Sequence, residues 1–247
     1  MDYSVNMNGI DVNAHYSEEA IREIFLPLLE RLTRIQKEKN RRILVFLAAP
    51  PGAGKSTLAS FLEKMSSEHE NLAQVQAIGM DGFHRRQEYL ISHTTVRDGK
   101  EIRMVDIKGA PQTFDLDQFK DRIGQILSGG SIPWPSYDRH LHNPIDNAIQ
   151  VDKDIVLLEG NYLLLDEDGW RDLKGFCDYS IFISADEKML RDRLVDRKVK
   201  SGNDKDKAES FVDYSDMANV KLCLEHSMKA DLQLRIDVAG EYHEEKT

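Results

Sequence analysis

Cysteine is scarce in this chain of 247 residues, which contains only Cys177 and Cys223. The two lie far apart and belong to no CxxC or Cys/His pattern. A disulfide framework needs several spaced cysteines, and a structural zinc site needs clustered Cys and His ligands. Both classes of protein are therefore disfavoured, and a reducing cytosolic environment fits best.

Long hydrophobic runs are missing as well. The most apolar segment is ILVFLAA at 43–49, whereas a helix that crosses a bilayer needs roughly 20 apolar residues. The first residues, MDYSVNMNGIDVN, lack the basic and apolar regions of a secretory signal peptide. The sequence therefore predicts a cytoplasmic protein.

An excess of basic residues, which is typical of nucleic-acid-binding proteins, is also absent. Lys and Arg number 33 against 43 Asp and Glu, so the net charge is −10 at pH 7. A surface of this charge repels phosphate backbones and anionic lipid. We therefore expect no nucleic-acid partner and no membrane partner.

What the sequence does contain is an alternation of apolar strands and amphipathic helices. Its length suits one well-buried domain over residues 1–247. The apolar runs predict strands at 43–49, 75–80, 154–160, 179–184 and 232–238. Helical periodicity predicts helices at 17–40, where Pro27 kinks the helix or delays its start, and at 115–128, 187–198 and 207–229. This alternation is typical of a doubly wound α/β sheet, whose ligands gather at the carboxyl ends of the strands.

A glycine-rich turn, APPGAGKS, follows the first predicted strand at 49–56. Its pattern is that of a Walker A phosphate-binding loop in which Ala49 replaces the first glycine. Backbone N–H groups would converge on an anion there, Lys55 would contact the β- and γ-phosphates, and Ser56 would offer its hydroxyl to Mg²⁺. The residues predicted to bind the nucleotide are Gly52, Ala53, Gly54, Lys55, Ser56 and Thr57. A chance glycine-rich turn is the alternative, but the strand before the motif and the helix after it favour the phosphate loop.

Two predicted strands end in a carboxylate. Asp81 follows the strand at 75–80, and Glu159 closes the strand at 154–160. At the edge of the sheet that carries the phosphate loop, Asp81 would accept the proton of an attacking hydroxyl. Glu159 would join the Mg²⁺ shell or assist the base. The alternatives are a helix N-cap for Asp81 and a solvent-facing acid for Glu159.

Several segments together resemble one enzyme family. They are APPGAGKST, MDGFH, KGAPQTFD (108–115), PSYDR (135–139), VLLEGNYLLLD (156–166) with Trp170, and RLVDRKVKSG (193–202). The chain resembles the kinase family that includes uridine kinase, phosphoribulokinase and bacterial-type pantothenate kinase. Within it, the likeness is greatest to the nucleoside/nucleotide kinase-like, or fructose-transport-system kinase-like, branch.

The resemblance implies a three-layer α/β P-loop NTPase/kinase fold with a five-stranded parallel sheet core and a helical lid at about 191–206. It also implies ATP-dependent phosphorylation of a small-molecule alcohol. Asp81 would match the family's strand-end aspartate beside the acceptor hydroxyl. Further acceptor contacts would come from Lys108 and, in the 135–142 loop, from Tyr137, Asp138 and Arg139.

The predicted lid helix carries two arginines four residues apart. Arg193 and Arg197 would project from one face of the helix, whereas Arg191 would point away. Guanidinium groups bind phosphate oxygens and would neutralise charge on the transferring phosphoryl group. Pairing with neighbouring carboxylates on an exposed surface is the alternative. The segment KSGND after the helix is typical of a mobile hinge.

Five further polar residues are candidates for the site. His84 would help to bind the acceptor, or it is a polar loop residue. Asp216 and Asn219 would border the nucleotide base, or they lie on a helix surface. His140 and His142 would hold a metal ion, although further ligands nearby are lacking in the sequence.

The sequence thus predicts an ATP- and Mg²⁺-dependent kinase whose acceptor is a sugar, a nucleoside or a pantothenate-like alcohol. Its partners would be ATP and that acceptor. A nucleotide-hydrolysing or nucleotide-sensing regulator is the alternative, and Asp81 with the stiff 135–142 loop favours the kinase. A GTPase is disfavoured because NDKD at 203–206 has the wrong order for the guanine-specifying N-K-x-D pattern. The identity of the acceptor and homodimer formation stay open.

Overall fold

The computed structural model of the protein describes residues 1–7, 10–97, 99–139 and 141–245. The strands in this part of the chain are β1 (Asp2–Met7), β2 (Ile10–His15), β3 (Ile43–Ala48), β4 (Val75–Gly79), β5 (Thr94–Arg97), β6 (Lys100–Arg103), β7 (Ile132–Asp138), β8 (Asn143–Val151), β9 (Ile155–Gly160), β10 (Tyr179–Ala185), β11 (Leu232–Ile236) and β12 (Tyr242–Glu244). The helices are α1 (Glu18–Ala20), α2 (Leu26–Lys39), α3 (Lys55–Glu68), α4 (Gln87–Ser92), α5 (Leu116–Leu127), α6 (Glu187–Lys200), α7 (Lys205–Phe211) and α8 (Met217–His226).

A six-stranded sheet in the order β12-β11-β10-β3-β9-β4 forms the centre of the fold. The five strands from β11 to β4 are parallel, and β12 pairs with β11 in antiparallel register. The predicted five-stranded parallel core is therefore confirmed, and the C-terminal tail adds a sixth strand at one edge. β3 and β9 are apolar and buried along nearly their whole length, as strands covered on both faces must be.

The side chains of β3 divide between two hydrophobic cores, one on each face of the sheet. Residues that alternate along a strand point to opposite faces. Ile43, Val45 and Leu47 enter the core that also contains Phe61 of α3, whereas Leu44, Phe46 and Ala48 enter the core that contains Trp134 of β7. The predicted three-layer arrangement follows from these two cores.

The N-terminal helix predicted at 17–40 is present and contains a change of helical register. α1 passes into a π turn at Ile21–Phe25, and α2 then begins at Leu26 with Pro27 in its first turn. Proline has no N–H to donate to the carbonyl four residues earlier, and a widened turn before it accommodates this loss. Pro27 therefore marks the delayed start of the regular helix.

The segment before α1 forms a hairpin that the sequence analysis did not predict. β1 and β2 pair in antiparallel register. The ring of Tyr16 stacks on Phe61 with 4.2 Å between centroids, and Tyr3 meets the edge of the same ring at 5.2 Å. The hairpin therefore extends the hydrophobic core over the outside of α3.

The 135–142 segment, expected to be a proline-stiffened loop, begins as a strand instead. β7 pairs with β8, and the register of the pair shifts between Trp134 and Ser136. Pro135 lies at this irregularity, where the missing N–H of a proline does least damage to the ladder of hydrogen bonds. The expectation of a loop was wrong for 135–138 because a proline in a strand was not anticipated.

The helix predicted at 207–229 is divided. α7 ends at Phe211, a π turn occupies Val212–Asp216, and α8 begins at Met217. π turns inside helices frequently occur at functional sites, because they turn side chains out of the regular helical order. The turn here presents Asp216, which was one of the candidate site residues.

Candidate functional site

The phosphate loop connects the end of β3 to the start of α3. Gly52 and Gly54 have φ angles of +86° and +84°, a conformation that residues with a side chain rarely adopt. A Cβ atom at Gly52 would lie 3.1 Å from Leu194 Cγ of α6, so the loop packs against the predicted lid helix. Ala53 and Thr57 are buried and so help to fix the loop and the first turn of α3.

Glu159, at the end of β9, contacts the two polar residues of the phosphate loop. Ser56 Oγ donates a hydrogen bond to Glu159 Oε1 at 2.8 Å, and Lys55 Nζ lies 3.9 Å from Oε2. Only 13% of the Glu159 side chain is exposed, so it is not the solvent-facing acid of the alternative interpretation. Burial raises the pKa of Glu159, and the negative charge of Asp81 adds to this effect, although Lys55 opposes it.

Asp81 lies in a 3₁₀ turn, Met80–Phe83, that follows β4. The N-cap position of that turn is Gly79 and no side chain caps it, so Asp81 does not act as the N-cap. The carboxylate is 40% exposed and lies 4.0 Å from Arg139. Burial alone would raise the pKa of Asp81, but neighbouring groups outweigh this and hold it below its ordinary value. The groups that lower it are His84, Lys55, Arg139 and Arg197.

Close backbone packing fixes the position of Asp81. A Cβ atom at Gly82 would lie 2.4 Å from the carbonyl oxygen of Pro135, so only glycine lets the turn approach β7 this closely. Trp134 Nε1 donates a hydrogen bond to the carbonyl oxygen of Gly79 at 2.8 Å. The β7–β8 hairpin is thereby held against the turn that carries Asp81.

His84 lies one turn beyond Asp81 and has a defined tautomer. Its Nδ1 is 2.9 Å from the backbone carbonyl oxygen of Asp81, which can only accept a hydrogen bond. Nδ1 therefore carries the proton and Nε2 carries the lone pair in the neutral ring. Burial lowers the pKa of His84 and outweighs the opposing effect of Asp81, so the ring is neutral at pH 7. Phe114 supports the ring at 3.9 Å between centroids.

Lys108 and Tyr137 complete what we call the acceptor cluster (His84, Lys108 and Tyr137). The Tyr137 ring lies 5.0 Å from His84 and 5.3 Å from Lys108 Nζ. Lys108 Nζ donates to Gln87 Oε1 at 2.6 Å and to the carbonyl oxygen of His142 at 2.9 Å. Burial raises the pKa of Tyr137 to about 12, so its hydroxyl is neutral. The structure thus brings together three residues that the sequence analysis placed around the acceptor.

The remaining candidates of this hairpin have contacts within its turn. Asp138 Oδ1 accepts a hydrogen bond from the Leu141 N–H at 2.9 Å. His142 contributes its backbone carbonyl to Lys108, and His140 lies outside the described residues. Among the residues that the structure describes, no three or more His, Cys, Asp or Glu side chains form a group that could hold a metal ion. The metal interpretation of His142 is therefore unsupported.

The two lid arginines lie in different surroundings. Arg197 is close enough to Asp81 for its charge to lower the pKa of that carboxyl group. Burial raises the pKa of Tyr242 in β12, and the charge of Arg193 opposes this effect. The Tyr242 ring packs against Phe25 at 5.3 Å between centroids. Four residues advance a helix by about 6 Å, so the two arginines share one face but their long side chains reach different groups. We therefore retain Arg197, and not Arg193, as a candidate at the transfer site.

Asn219 and Asp216 are buried, which excludes the helix-surface interpretation. Asp216 Oδ2 lies 3.5 Å from Lys198 Nζ, and it makes no hydrogen bond. Asn219 Nδ2 would lie 3.8 Å from a Cβ atom at Gly109, the residue after Lys108. Asn219 therefore lies beside the segment that carries Lys108, and its contact with the nucleotide base stays a prediction.

The sequence analysis did not identify three residues that contact the candidate site residues or their neighbours. The Tyr162 hydroxyl donates to the carbonyl oxygen of Gly109 at 2.5 Å, Gln87 accepts from Lys108, and Lys198 pairs with Asp216. Tyr162 lies inside the segment VLLEGNYLLLD, so its position beside Glu159 was a usable signal. No local pattern marks Gln87 or Lys198, whose contacts arise only from the folded chain.

Comparison with known proteins identifies the family. Residues 44–234 match the model of the Phosphoribulokinase / Uridine kinase family. The chain belongs to this family, and it is therefore an ATP-binding P-loop protein of the transferase class. The resemblance inferred from the sequence segments is confirmed.

Individual relatives match along most of their length. The chain is 38% identical over 244 residues to the uncharacterized protein YggC of Escherichia coli strain K12, which covers 98% of this chain and 99% of that one. It is 29% identical to a Schizosaccharomyces pombe protein provisionally named a uridine kinase, with 84% and 88% covered. A solved structure from Silicibacter sp. TM1040, provisionally named a fructose transport system kinase, has a TM-score of 0.72 at 31% identity, with 83% and 98% covered.

None of the helices in the described residues is both long enough and apolar enough to span a bilayer.

Proposed function

We propose that the protein transfers the γ-phosphoryl group of ATP to a hydroxyl group of a small metabolite. The observation that carries this proposal is the position of Asp81. Its carboxylate lies at the carboxyl edge of the sheet, within the electrostatic reach of Lys55 and Arg197 and 4.0 Å from Arg139. A strand-end carboxylate between a phosphate loop and a cluster of polar side chains suits a base that meets an incoming hydroxyl.

Each residue has a distinct part in this transfer. Asp81 takes the proton of the acceptor hydroxyl as its oxygen forms a bond to the γ-phosphorus, and the bond to the bridging oxygen breaks to release ADP. Because its pKa is lowered, Asp81 is ionised and able to accept a proton at neutral pH. Lys55 and Arg197 stabilise the negative charge on the transferring group.

The residues beside the phosphate loop fit a magnesium ion. Mg²⁺ prefers hard oxygen ligands and is held by one or two protein groups together with phosphate oxygens. Ser56 Oγ and the Glu159 carboxylate supply such oxygens 2.8 Å apart at the start of α3. Ser56 and Glu159 would hold the ion, which neutralises phosphate charge when it is bound.

The acceptor cluster distinguishes this proposal from a nucleotide-hydrolysing regulator. A hydrolase needs only a water molecule beside the γ-phosphate. His84, which donates to the backbone carbonyl of Asp81, and the neighbouring Tyr137 and Lys108 instead offer a lone pair, a phenol and an ammonium group. Such a combination suits recognition of a polar organic molecule.

Asp81→Asn tests the proposal, with ADP release measured on the acceptor that supports the fastest reaction of the native protein. The amide cannot take the proton, so the transfer rate should fall roughly 10²–10⁴-fold. The affinity for a non-hydrolysable ATP analogue should change little, because the phosphate loop makes that site.

Asp146→Asn is the matched control. Asp146 lies in β8, where its side chain is exposed and pairs with Arg86. This variant should keep the native rate. An Asp81→Asn protein that also keeps most of its transfer rate would refute the role of Asp81 as the base.

A further inference from the structure

Lys108 is a half-buried ammonium group with neutral partners. Its hydrogen-bond acceptors are an amide oxygen of Gln87 and a backbone carbonyl of His142, at 2.6 and 2.9 Å. An ammonium group has three N–H donors, so these partners use two of them. Among the residues that the structure describes, no carboxylate oxygen lies within 4.0 Å of Lys108 Nζ.

The partly buried surroundings of Lys108 make its charged form unfavourable. Burial lowers the pKa of Lys108, and no neighbouring carboxylate restores it. By contrast, Lys55 faces Glu159, Lys198 faces Asp216, and Arg139 faces Asp81. An uncompensated charge at a partly buried position is stabilised when an opposite charge binds beside it.

The position of Lys108 relates it to the transfer site. The charge of Lys108 acts on His84, whose Nδ1 donates a hydrogen bond to the backbone carbonyl oxygen of Asp81. The Tyr137 ring is a neighbour of both, at 5.3 Å from the ammonium group and 5.0 Å from the His84 ring. The acceptor cluster thus contacts Asp81 through His84 and includes Lys108 beside the Tyr137 ring. A molecule that spans it would present its hydroxyl to Asp81 and its far end to Lys108.

We propose, on the basis of the function proposed above, that the acceptor carries an anionic group, a carboxylate or a phosphate, that pairs with Lys108 while its reacting hydroxyl faces Asp81. The acceptor is then an acidic polyol or a sugar phosphate and not a neutral sugar or nucleoside. His84 Nε2 and the Tyr137 hydroxyl bind uncharged polar groups between the two ends.

Matched ligand series test this inference. Ribose, ribonate and ribose monophosphate, and likewise glycerol, glycerate and glycerol monophosphate, are titrated into the protein by calorimetry. Mg²⁺ and a saturating non-hydrolysable ATP analogue are present throughout. At least one anionic member should bind, and its neutral counterpart should bind about 10- to 100-fold more weakly, which is the value of a hydrogen bond between charged groups. The carboxylate and phosphate members distinguish the two sources of the anion.

Lys108→Met should remove this preference and leave the affinity for the ATP analogue unchanged, which also shows that the variant is folded. Lys108→Arg should keep the preference. Lys153→Met is the matched control, because Lys153 is an exposed lysine paired with Asp152. If Lys108 only braces Gln87 against His142, the variant loses thermal stability and keeps the preference, and the inference fails.

Other outcomes separate this inference from the proposed kinase activity. If only neutral members bind and are phosphorylated, or if no anionic member binds, the inference is wrong and the kinase proposal is unaffected. If an anionic member binds through Lys108 but receives no phosphoryl group from ATP, the anion subsite stands and the proposed function fails.

Discussion

At the scale of single residues, the site brings together two carboxylates whose pKa values are shifted in opposite directions. Neighbouring positive charge keeps the pKa of Asp81 low, whereas burial and the charge of Asp81 raise that of Glu159. A carboxyl group with a raised pKa is less stable as an anion in the folded protein than in the unfolded chain. Glu159 therefore reduces stability at neutral pH, and in the proposed function this carboxylate holds the magnesium ion.

Glu159→Gln should accordingly have opposite effects on stability and on activity. The amide can still accept the hydrogen bond from Ser56, but it binds Mg²⁺ poorly, so the Mg²⁺ concentration for half-maximal activity should rise about 10–100-fold. Without Mg²⁺, the melting temperature should be higher than that of the native protein above the raised pKa. The difference should shrink as the pH falls toward the ordinary carboxyl value of 4.5.

Glu63→Gln provides the comparison for this prediction. Burial also raises the pKa of Glu63, which accepts a hydrogen bond from the Ala77 N–H in the core region of α3. This variant should leave the Mg²⁺ requirement unchanged. An unchanged Mg²⁺ requirement in Glu159→Gln would contradict the assignment of Glu159 as a metal ligand.

Which residues the sequence could identify depends on how local their contacts are. Lys55 and Ser56 follow from one continuous motif, since the strand, the turn and the helix fix them together. Glu159 and Asp81 follow from their positions at strand ends. The approach of Asn219 to Gly109 could not be predicted, because the two residues lie on distant segments and no spacing in the sequence reveals their contact.

At the scale of secondary-structure elements, the turn after β4 depends on its contact with β7. Gly82 is required there for steric reasons, because the carbonyl of Pro135 occupies the space of a side chain. The same contact aligns Asp81 with the β7–β8 hairpin, which carries Tyr137. A substitution at Gly82 should therefore affect both the free energy of unfolding and the rate of phosphoryl transfer.

Gly82→Ala should destabilise the protein by about 1–3 kcal/mol, because the turn and β7 must move apart. It should also lower the transfer rate, since Asp81 and Tyr137 lose their alignment. Denaturant unfolding and steady-state kinetics measure the two effects. Gly124 lies on the exposed face of α5, and a Cβ atom there would have nothing within 4 Å. In contrast to Gly82→Ala, Gly124→Ala should therefore raise the free energy of unfolding by about 0.5–1 kcal/mol through helix propensity. Equal stability of the two variants would contradict the close approach at Gly82.

The elements that the sequence predicted are the ones with strong internal patterns. The continuous apolar runs of β3 and β9 and the periodic face of α5 determine their own structure. β5, β6 and β12 are short and largely exposed, so their strand pairing depends on the partner strand more than on their own residues. β7 was missed because two prolines interrupt its pattern.

At the scale of the whole molecule, the carboxyl ends and the amino ends of the parallel strands carry different kinds of residues. The carboxyl edge carries the phosphate loop, Asp81 and Glu159. At the amino edge, the buried carboxylate of Asp178 accepts hydrogen bonds from Arg41 at 2.6 and 2.9 Å and from the Leu44 N–H at 3.0 Å. Asp178 thereby fastens the start of β10 to the start of β3.

Asp178→Asn should cost about 1–3 kcal/mol of unfolding free energy at neutral pH, because a charged hydrogen-bonding group with 5% exposure is lost. Burial opposes the charge of Asp178, but hydrogen bonds from Arg41 and Lys39 outweigh it and lower the pKa below 3.8. The stabilisation is therefore present above that value and lost as the pH falls through the lower pKa of the folded protein. The difference between variant and native protein should shrink in that acidic range.

Asp172→Asn serves as the reference for this measurement. Asp172 is exposed and pairs with Lys120, so its loss should change stability by less than about 1 kcal/mol at any pH. A pH-independent cost for Asp178→Asn would contradict the electrostatic origin of its effect.

The destination of the γ-phosphoryl group tests the central claim most directly. Phosphorus NMR follows ATP, Mg²⁺ and the native protein with each member of the acceptor series. The account predicts a new phosphate-ester signal that grows in step with ADP when the right acceptor is present, with little inorganic phosphate. Release of inorganic phosphate alone, at a rate that no acceptor changes, would contradict it and favour the nucleotide-hydrolysing regulator.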